Sequence, residues 1–171
     1  PAPTGTDPAP TTSAPSADAR SLVIGATAEP ATLDPTATDA AAGPQALLYN
    51  VYETLVRLDA DGDLKALLAQ SWNVTPDNLT YTFRLNPLAK FSDGSAVTAE
   101  AVVQNIERIR TGTAAPKLKK AMEVVASSEA VDPGTVSVTL SRPSVTWLFD
   151  MAGAAGIVMN PAGAIARQQA E

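Results

Sequence analysis

Residues 79–109, "LTYTFRLNPLAKFSDGSAVTAEAVVQNIERI", contain a strand pattern, a turn and a helix pattern in immediate succession. Apolar and polar residues alternate strictly from Leu79 to Leu85, which is typical of a strand with one buried face. Asp93-Gly94 is a turn dipeptide. Thr98 stands where a helix N-cap is preferred, and valine and isoleucine then recur at helical spacing. We therefore predict a β-strand, a tight turn and an amphipathic helix that ends near Gly112.

Alternation returns later in the chain, in residues 135–140, "TVSVTL". Pro133-Gly134 supplies a turn before them, so we expect a hairpin with residues 122–131, "MEVVASSEAV". One face of each segment is polar, which is typical of an antiparallel sheet with one solvated face. The predicted fold class is α+β (mixed), with a small, mainly antiparallel sheet packed with helices.

Shorter elements are predicted on either side of these segments. A strand is expected at the start of "SLVIGATAEP" (residues 21–30), and a helix from Pro44 along an apolar stripe that reaches Leu55. Residues 54–68 predict a strand, a tight turn and a short helical turn. The remaining predictions are a helix over 143–153, a short strand over 156–161 and a helix starting at 162.

Composition excludes several classes of protein. The chain has 171 residues and contains neither cysteine nor histidine, so disulfides, thiol catalysis and histidine general bases are excluded. The net charge is −6 and no basic cluster is present, which argues against a nucleic-acid partner. Residues 1–20, rich in Pro, Ala and Thr, predict a disordered linker. This linker is either a spacer between a membrane anchor and the folded body or a neutral tail.

The turn at residues 59–63 has alternating aspartates, as at the start of an EF-hand calcium loop. Leu64 stands where such a loop needs glycine, and Gln70 stands where it needs glutamate. We therefore predict a solvated turn, no metal site and no cofactor. A hydrolase with paired carboxylates would have to use these aspartates or Asp93, all at turn positions, so an enzyme is not expected.

Residues 68–109 resemble the signature region of the peptide- and nickel-type (family 5) extracellular solute-binding proteins of ABC importers. Members typically show Ala-x-Ser-Trp, a Thr-Tyr-Thr-Phe strand, a Lys-Phe-x-Asp-Gly turn, and Thr-Ala-Glu at a helix start. The matching residues are Ala69, Ser71, Trp72, Thr80 to Phe83, Lys90, Phe91, Asp93, Gly94 and Thr98 to Glu100.

The resemblance extends from about Leu22 to Pro161, through "PATLDPTATD", "YNVYETLVRLDADG" and "VSVTLSRPSVTWLFDMAG". It departs at Ala101, where most relatives carry aspartate, and in "LNPLAK", which replaces a more polar turn. Family members are also much longer, with two lobes that close over a cleft.

The resemblance implies a partial lobe of a two-lobed periplasmic-binding-protein-like fold. Residues 21–42 would then be the first strand and cleft loop of the ligand-binding lobe, and residues 43–142 a helix-and-sheet subdomain that carries the signature. Residues 143–171 would be a return segment to the ligand-binding lobe, truncated at the chain end, with the opposing lobe missing.

Ligand contacts are expected on loops rather than on the signature strands. Trp72, Tyr81 and Phe83 are predicted to be core residues, because aromatic residues in alternating strands usually are. The cleft loop offers Thr36, Thr38 and Asp39 as ligand-binding residues, and the connector after the amphipathic helix offers Thr111 and Thr113. The alternative for both loops is a solvated loop without a ligand.

The implied function is the substrate-binding component of an ABC importer. It would capture a peptide or similar solute outside the cytoplasmic membrane and deliver it to the permease subunits, and it would be lipid-anchored at the N-terminus of the full precursor. The resemblance does not fix the ligand. The alternatives are a truncated domain without independent ligand binding and a carboxylate-based hydrolase.

Overall fold

The structure is a computed structural model that describes residue 25, residues 28–38 and residues 40–163. The predicted linker (1–20), the strand expected from residue 21 and Asp39 lie outside the described residues. Residues 161–163 are helical, close to the start of the last predicted helix, and the rest of that helix is also outside.

Within the described residues, the strands form one two-stranded and one four-stranded sheet. The strands are β1 (Val56–Leu58), β2 (Leu64–Ala66), β3 (Ala69–Val74), β4 (Thr80–Leu85), β5 (Val125–Asp132) and β6 (Thr135–Leu140). The helices are α1 (Ala42–Leu47), α2 (Ala99–Thr111), α3 (Pro116–Met122), α4 (Trp147–Asp150) and a 3₁₀ helix (Ala154–Gly156).

The four-stranded sheet has the order β3-β4-β6-β5, and all its pairs are antiparallel. It confirms the predicted strand after Leu79, the predicted hairpin and the mixed α+β class. Tyr81 and Phe83 are core residues as predicted, whereas Trp72 is only partly buried against the core. Strand β3 was not predicted, because a register shift between Ala69 and Ser71 breaks its alternation.

Helix α2 packs against β5 and β6 and supplies a large part of the core. It begins as predicted: the Thr98 hydroxyl oxygen accepts a hydrogen bond from the Ala101 N–H at 3.3 Å. It ends at Gly112, where a Cβ atom would overlap the carbonyl oxygen of Arg108. Its apolar stripe is buried at Val102, Ile106 and Ile109 and half-buried at Val103.

The helix predicted from Pro44 to Leu55 is wrong in its extent. Helix α1 ends at Leu47, and Pro44 is its third residue. Tyr49 then has a φ of 64°, in the left-handed region, and its N–H donates to the Tyr52 carbonyl at 2.7 Å. The Tyr49 hydroxyl donates to the carbonyl of Ala152 at 2.5 Å. A tertiary contact thus holds a turn that helical periodicity does not reveal.

The helical turn predicted after residue 63 is instead β2, which pairs with β1 through Val56 and Ala66. The tight turn between the two strands is confirmed: the Asp59 carboxylate accepts the N–H groups of Asp61 and Asp63. Cross-strand pairing with β1 therefore outweighed the weak helical preference of these few residues.

The segment after β6 differs from prediction at two places. The helix expected from Pro143 begins only at Trp147, whose N–H donates to the Ser144 hydroxyl at 3.2 Å. The strand expected over 156–161 is a single antiparallel bridge between Ile157 and Thr54, extended by the Val158 N–H bond to the Glu53 carbonyl. No helix in the described part of the chain is long and apolar enough to span a bilayer.

Candidate functional site

A cavity of about 950 Å³ lies between four segments: the first loop (residues 32–38, within the predicted cleft loop), the segment after α1, the turn after β4 and the segment after the 3₁₀ helix. Thr36 and Thr113, two of the predicted ligand-binding residues, both line it. The structure thus brings together the cleft loop and the connector after α2, which lie 77 positions apart in the sequence.

The first loop is ordered by its own side chains. The Asp34 carboxylate accepts the N–H of Thr36 at 2.8 Å and the Thr36 hydroxyl at 2.7 Å. The Thr32 hydroxyl accepts the N–H of Asp34 at 3.1 Å. From the neighbouring segment, the Tyr52 hydroxyl donates to the Leu33 carbonyl at 3.1 Å. Thr36 is 2% exposed, so only a small part of it faces the cavity.

The side chain of Arg108 in α2 holds this loop in place. Its Nη1 donates to the Thr36 hydroxyl oxygen at 2.9 Å, and the Thr36 carbonyl accepts the N–H of Ala115 at 2.8 Å. Burial lowers the pKa of the Arg108 guanidinium, and the charge of Asp34 partly opposes this. A guanidinium remains protonated despite such a shift, so Arg108 is a permanent donor. Its buried Nε has no hydrogen-bond partner among the described residues.

Two side chains hold the segment around Met159 and Asn160, which also lines the cavity. The Asn105 amide of α2 donates to the Met159 carbonyl at 2.7 Å and accepts the Met159 N–H at 3.1 Å. The Asn160 amide donates to the Asp93 carboxylate at 2.7 Å. Hydrogen bonds from the hydroxyl and then the N–H of Ser95 lower the pKa of Asp93, so it is charged at neutral pH.

The other predicted site residues are placed elsewhere. Thr38 accepts the N–H of Ala40 with its hydroxyl at 3.1 Å and is not among the cavity residues. Thr111 donates its hydroxyl to the Glu107 carbonyl at 2.8 Å, within its own helix, and does not line the cavity either. Asp39 lies outside the described residues.

Sequence reasoning missed several of the residues that line the cavity. Arg108 was not among the predicted site residues, and Tyr52 lies within the helix predicted from Pro44 to Leu55. The sequence feature that could have indicated Arg108 is its place beside the buried Ile109. A long cationic side chain at such a place packs its aliphatic stem along the core and keeps its charged end at the core edge. Tyr49 carried no such signal, because its position depends on Ala152.

The cavity offers groups of both charge signs beside aromatic surface. Asp34, Glu53 and Asp93 are acidic, and Lys90 and Arg108 are basic. The aromatic residues at its wall are Tyr49, Tyr52 and Phe91. Such a wall can bind a small solute that has charged or polar ends and an apolar body. The described residues contain no group of three or more acidic, histidine or cysteine side chains that could hold a metal ion.

These features place the chain in a defined class. Residues 63–170 match the middle region of the bacterial extracellular solute-binding proteins, family 5. This range includes the four-stranded sheet and helix α2. The chain belongs to this family, which confirms the resemblance drawn from residues 68–109.

Individual relatives make the match more specific. The chain is 37% identical over 146 residues to the probable D,D-dipeptide-binding periplasmic protein DdpA of Escherichia coli K12, covering 82% of this chain and 28% of that protein. It is 34% identical over 145 residues to the glutathione-binding protein GsiB of the same strain, covering 84% of this chain and 28% of that protein. The chain thus spans about 28% of the length of these relatives.

A solved structure agrees with the fold. The periplasmic binding protein AgaA from A. tumefaciens R10, in complex with agropinic acid, superposes with a TM-score of 0.72 at 32% sequence identity. The match covers 82% of this chain and 28% of AgaA. This confirms the expectation that the chain forms part of a periplasmic-binding-protein fold.

Proposed function

We propose that this chain is part of the substrate-binding component of an ABC importer, which captures a peptide or similar small solute and delivers it to the permease. The observation that carries this proposal is the cavity of about 950 Å³, whose first loop is held by Asp34 and Arg108. A receptor gains affinity when its loops are ordered before the ligand arrives, because less entropy is lost on binding. DdpA is named a probable D,D-dipeptide-binding protein and GsiB a glutathione-binding protein, and these names support a peptide-like ligand.

Within this proposal, Thr113 binds the ligand directly. Thr36 adds the small exposed part by which it lines the cavity, since its hydroxyl is already bonded to Asp34 and Arg108. Thr38, Asp39 and Thr111 stay predictions that would require a rearranged or closed state. Residues 21–42 and 143–171 belong to the ligand-binding lobe, and residues 43–142 to a supporting subdomain. The first loop and residues of the segment 159–163 line the cavity, which supports their place in the ligand-binding lobe. Tyr52, Phe91 and Thr113 of the subdomain line it as well.

The proposed capture requires a second lobe that closes over the cavity by hinge motion. In that arrangement the present chain holds one side of the ligand. The component acts outside the cytoplasmic membrane, is lipid-anchored at the N-terminus of the full precursor, and carries out no reaction on the solute. The alternative of a domain without independent ligand binding applies to this chain alone, not to a longer protein that contains it.

Calorimetric titration with a defined set of dipeptides and tripeptides tests the proposal, with this chain and with a longer protein that contains both lobes. We expect saturable binding by the longer protein, and mass spectrometry should recover every peptide unchanged. Binding by the longer protein alone would establish the alternative for the isolated chain. No binding by either protein, or a hydrolysed peptide, would contradict the proposal.

A matched pair of variants locates the site. Thr113→Val in the longer protein should weaken binding about two- to tenfold, which corresponds to one lost hydrogen bond. Thr146→Val, an exposed threonine that does not line the cavity, should leave binding unchanged. Equal effects of the two substitutions would remove Thr113 from the proposed site.

A further inference from the structure

We propose that Asn105 and Arg108 of α2, together called the α2 clasp, are positioning residues that hold the two borders of the cavity at a fixed separation. One border is the first loop, residues 32–38, and the other is the return border, residues 159–163. The importance of the clasp for ligand binding rests on the proposed function, whereas the clasp itself is a property of the fold.

The first arm of the clasp is the amide of Asn105. This residue is 4% exposed and lies within the buried face of α2, where an aliphatic residue would satisfy both packing and helix formation better. Its amide instead makes both hydrogen bonds of a peptide pair with Met159, at 2.7 and 3.1 Å, and Nδ2 also donates to the Ala101 carbonyl at 2.8 Å. The Asn105 amide therefore anchors the return border at the backbone of one residue, Met159.

The second arm is the guanidinium of Arg108. It donates to the Thr36 hydroxyl oxygen at 2.9 Å, and the same hydroxyl donates to Asp34 at 2.7 Å. A single hydroxyl thus connects a permanent cation to a carboxylate on the loop. Hydrogen bonds with a charged partner are stronger than neutral ones, so this arm holds the first loop firmly on α2.

The two arms are joined on one turn of the helix. Arg108 Nη2 lies 3.4 Å from the Asn105 amide oxygen, and residues three apart in a helix are neighbours on its surface. Helix α2 has 13 residues and packs on the sheet, so it cannot follow either border independently. Both borders of the cavity are therefore bonded to the same rigid turn of α2. The distance between the Asn105 and Arg108 side chains sets the distance between the borders.

Amide hydrogen exchange on the full chain tests the α2 clasp without any ligand, so its outcome is independent of the proposed function. Arg108→Met should accelerate exchange of the Thr36 and Ala115 amides at least tenfold and leave the Met159 amide within about threefold of the original. Asn105→Ala should accelerate exchange of the Met159 amide at least tenfold. Amides of β4 and β6 serve as references for global unfolding.

Conservative variants separate a specific hydrogen bond from the mere filling of space. Arg108→Lys keeps the cation, so exchange of the Thr36 amide should stay within about threefold of the rate in the original chain, in contrast to Arg108→Met. Asn105→Leu fills a similar space without either hydrogen bond to Met159 and should accelerate exchange of that amide as Asn105→Ala does. Gln104→Ala, an exposed neighbour on α2 bonded to Glu100, should change neither border.

The proposal is overturned if Arg108→Met and Asn105→Ala change neither border. It is also overturned if either variant accelerates both borders and the reference strands equally, because the effect would then be a general loss of stability. If Arg108→Met does not fold, the Arg108→Lys and Asn105→Leu variants still decide. Fast exchange of the Thr36 amide in Arg108→Lys, or slow exchange of the Met159 amide in Asn105→Leu, contradicts the α2 clasp.

Discussion

The indole ring of Trp147 lies against the phenol ring of Tyr81, with the ring centroids 4.8 Å apart and the planes inclined by 58°. Trp147 is the first residue of α4, and Tyr81 lies within β4, so this contact fixes α4 to the sheet. Phe83 adds a second tilted contact at 6.3 Å. The chain continues from α4 to the return border of the cavity, and the packing of Trp147 therefore helps to decide where that border lies.

Replacing Trp147 by alanine should destabilise the chain by about 3–5 kcal/mol, because the residue is fully buried and its removal leaves a large void. Urea unfolding followed by far-UV circular dichroism measures this loss. Trp147→Phe should cost less, since it leaves a smaller void and removes an indole N–H that has no hydrogen-bond partner among the described residues. Val145→Ala, at a side chain 91% exposed, is the control and should stay within about 0.5 kcal/mol. A loss below about 1 kcal/mol for Trp147→Ala would contradict the packing.

Replacing Thr98 by alanine should cost about 1 kcal/mol, because the Ala101 N–H at the start of α2 loses its acceptor. Thr98→Ser keeps the hydroxyl and should retain most of the stability. The same urea titration compares the two variants. If serine and alanine destabilise the chain equally, the hydrogen bond is not what Thr98 contributes.

Replacing Gly94 by alanine should destabilise the turn after β4 by about 1 kcal/mol. Gly94 has a φ of 86°, which disfavours any residue with a Cβ, although the space around the missing Cβ is open. The matched control is Gly163→Ala, at an exposed glycine in equally open space whose φ lies outside the left-handed region, which should change stability by less than about 0.5 kcal/mol. Equal thermal midpoints for the two variants would show that backbone strain at residue 94 is absent.

The pH dependence of stability should become weaker in Asp93→Asn. The hydroxyl and N–H of Ser95 lower the pKa of Asp93 in the folded chain. A carboxyl whose pKa is lower when folded contributes stability above its unfolded pKa of about 3.9, and this contribution is lost as pH falls through the folded pKa. Urea titrations between pH 3 and pH 7 should therefore show a smaller decrease below about pH 4 in the variant. Ser95→Ala removes the largest cause of the shift and should act in the same direction. An unchanged profile in both variants would refute the assignment.

Local sequence patterns were sufficient to predict the elements whose caps and burial pattern are set within a few neighbouring residues. The alternation around Tyr81 and Phe83 predicted β4, and Thr98 and Gly112 predicted both ends of α2. These predictions hold because hydrogen bonds and one-sided burial repeat with a fixed period along a strand or helix. The first loop became a candidate only through the family resemblance; Thr36 lines the cavity, and its contact with a ligand stays a prediction.

Tertiary structure alone decided the elements whose partners lie far away in the sequence. Tyr49 lies in a turn instead of the predicted helix, and its hydroxyl is bonded to the Ala152 carbonyl. The return border does not form the predicted strand, and Met159 is held by the Asn105 amide. The stabilising hydrogen bonds join residues 103 and 54 positions apart, so no periodicity within either segment predicts them. The sequence by itself determined that the chain has a small antiparallel sheet, a capped helix and polar loops. Packing of those elements determined that Thr36, Arg108 and Asn105 meet beside one cavity, because only the folded chain brings their partners within hydrogen-bond distance.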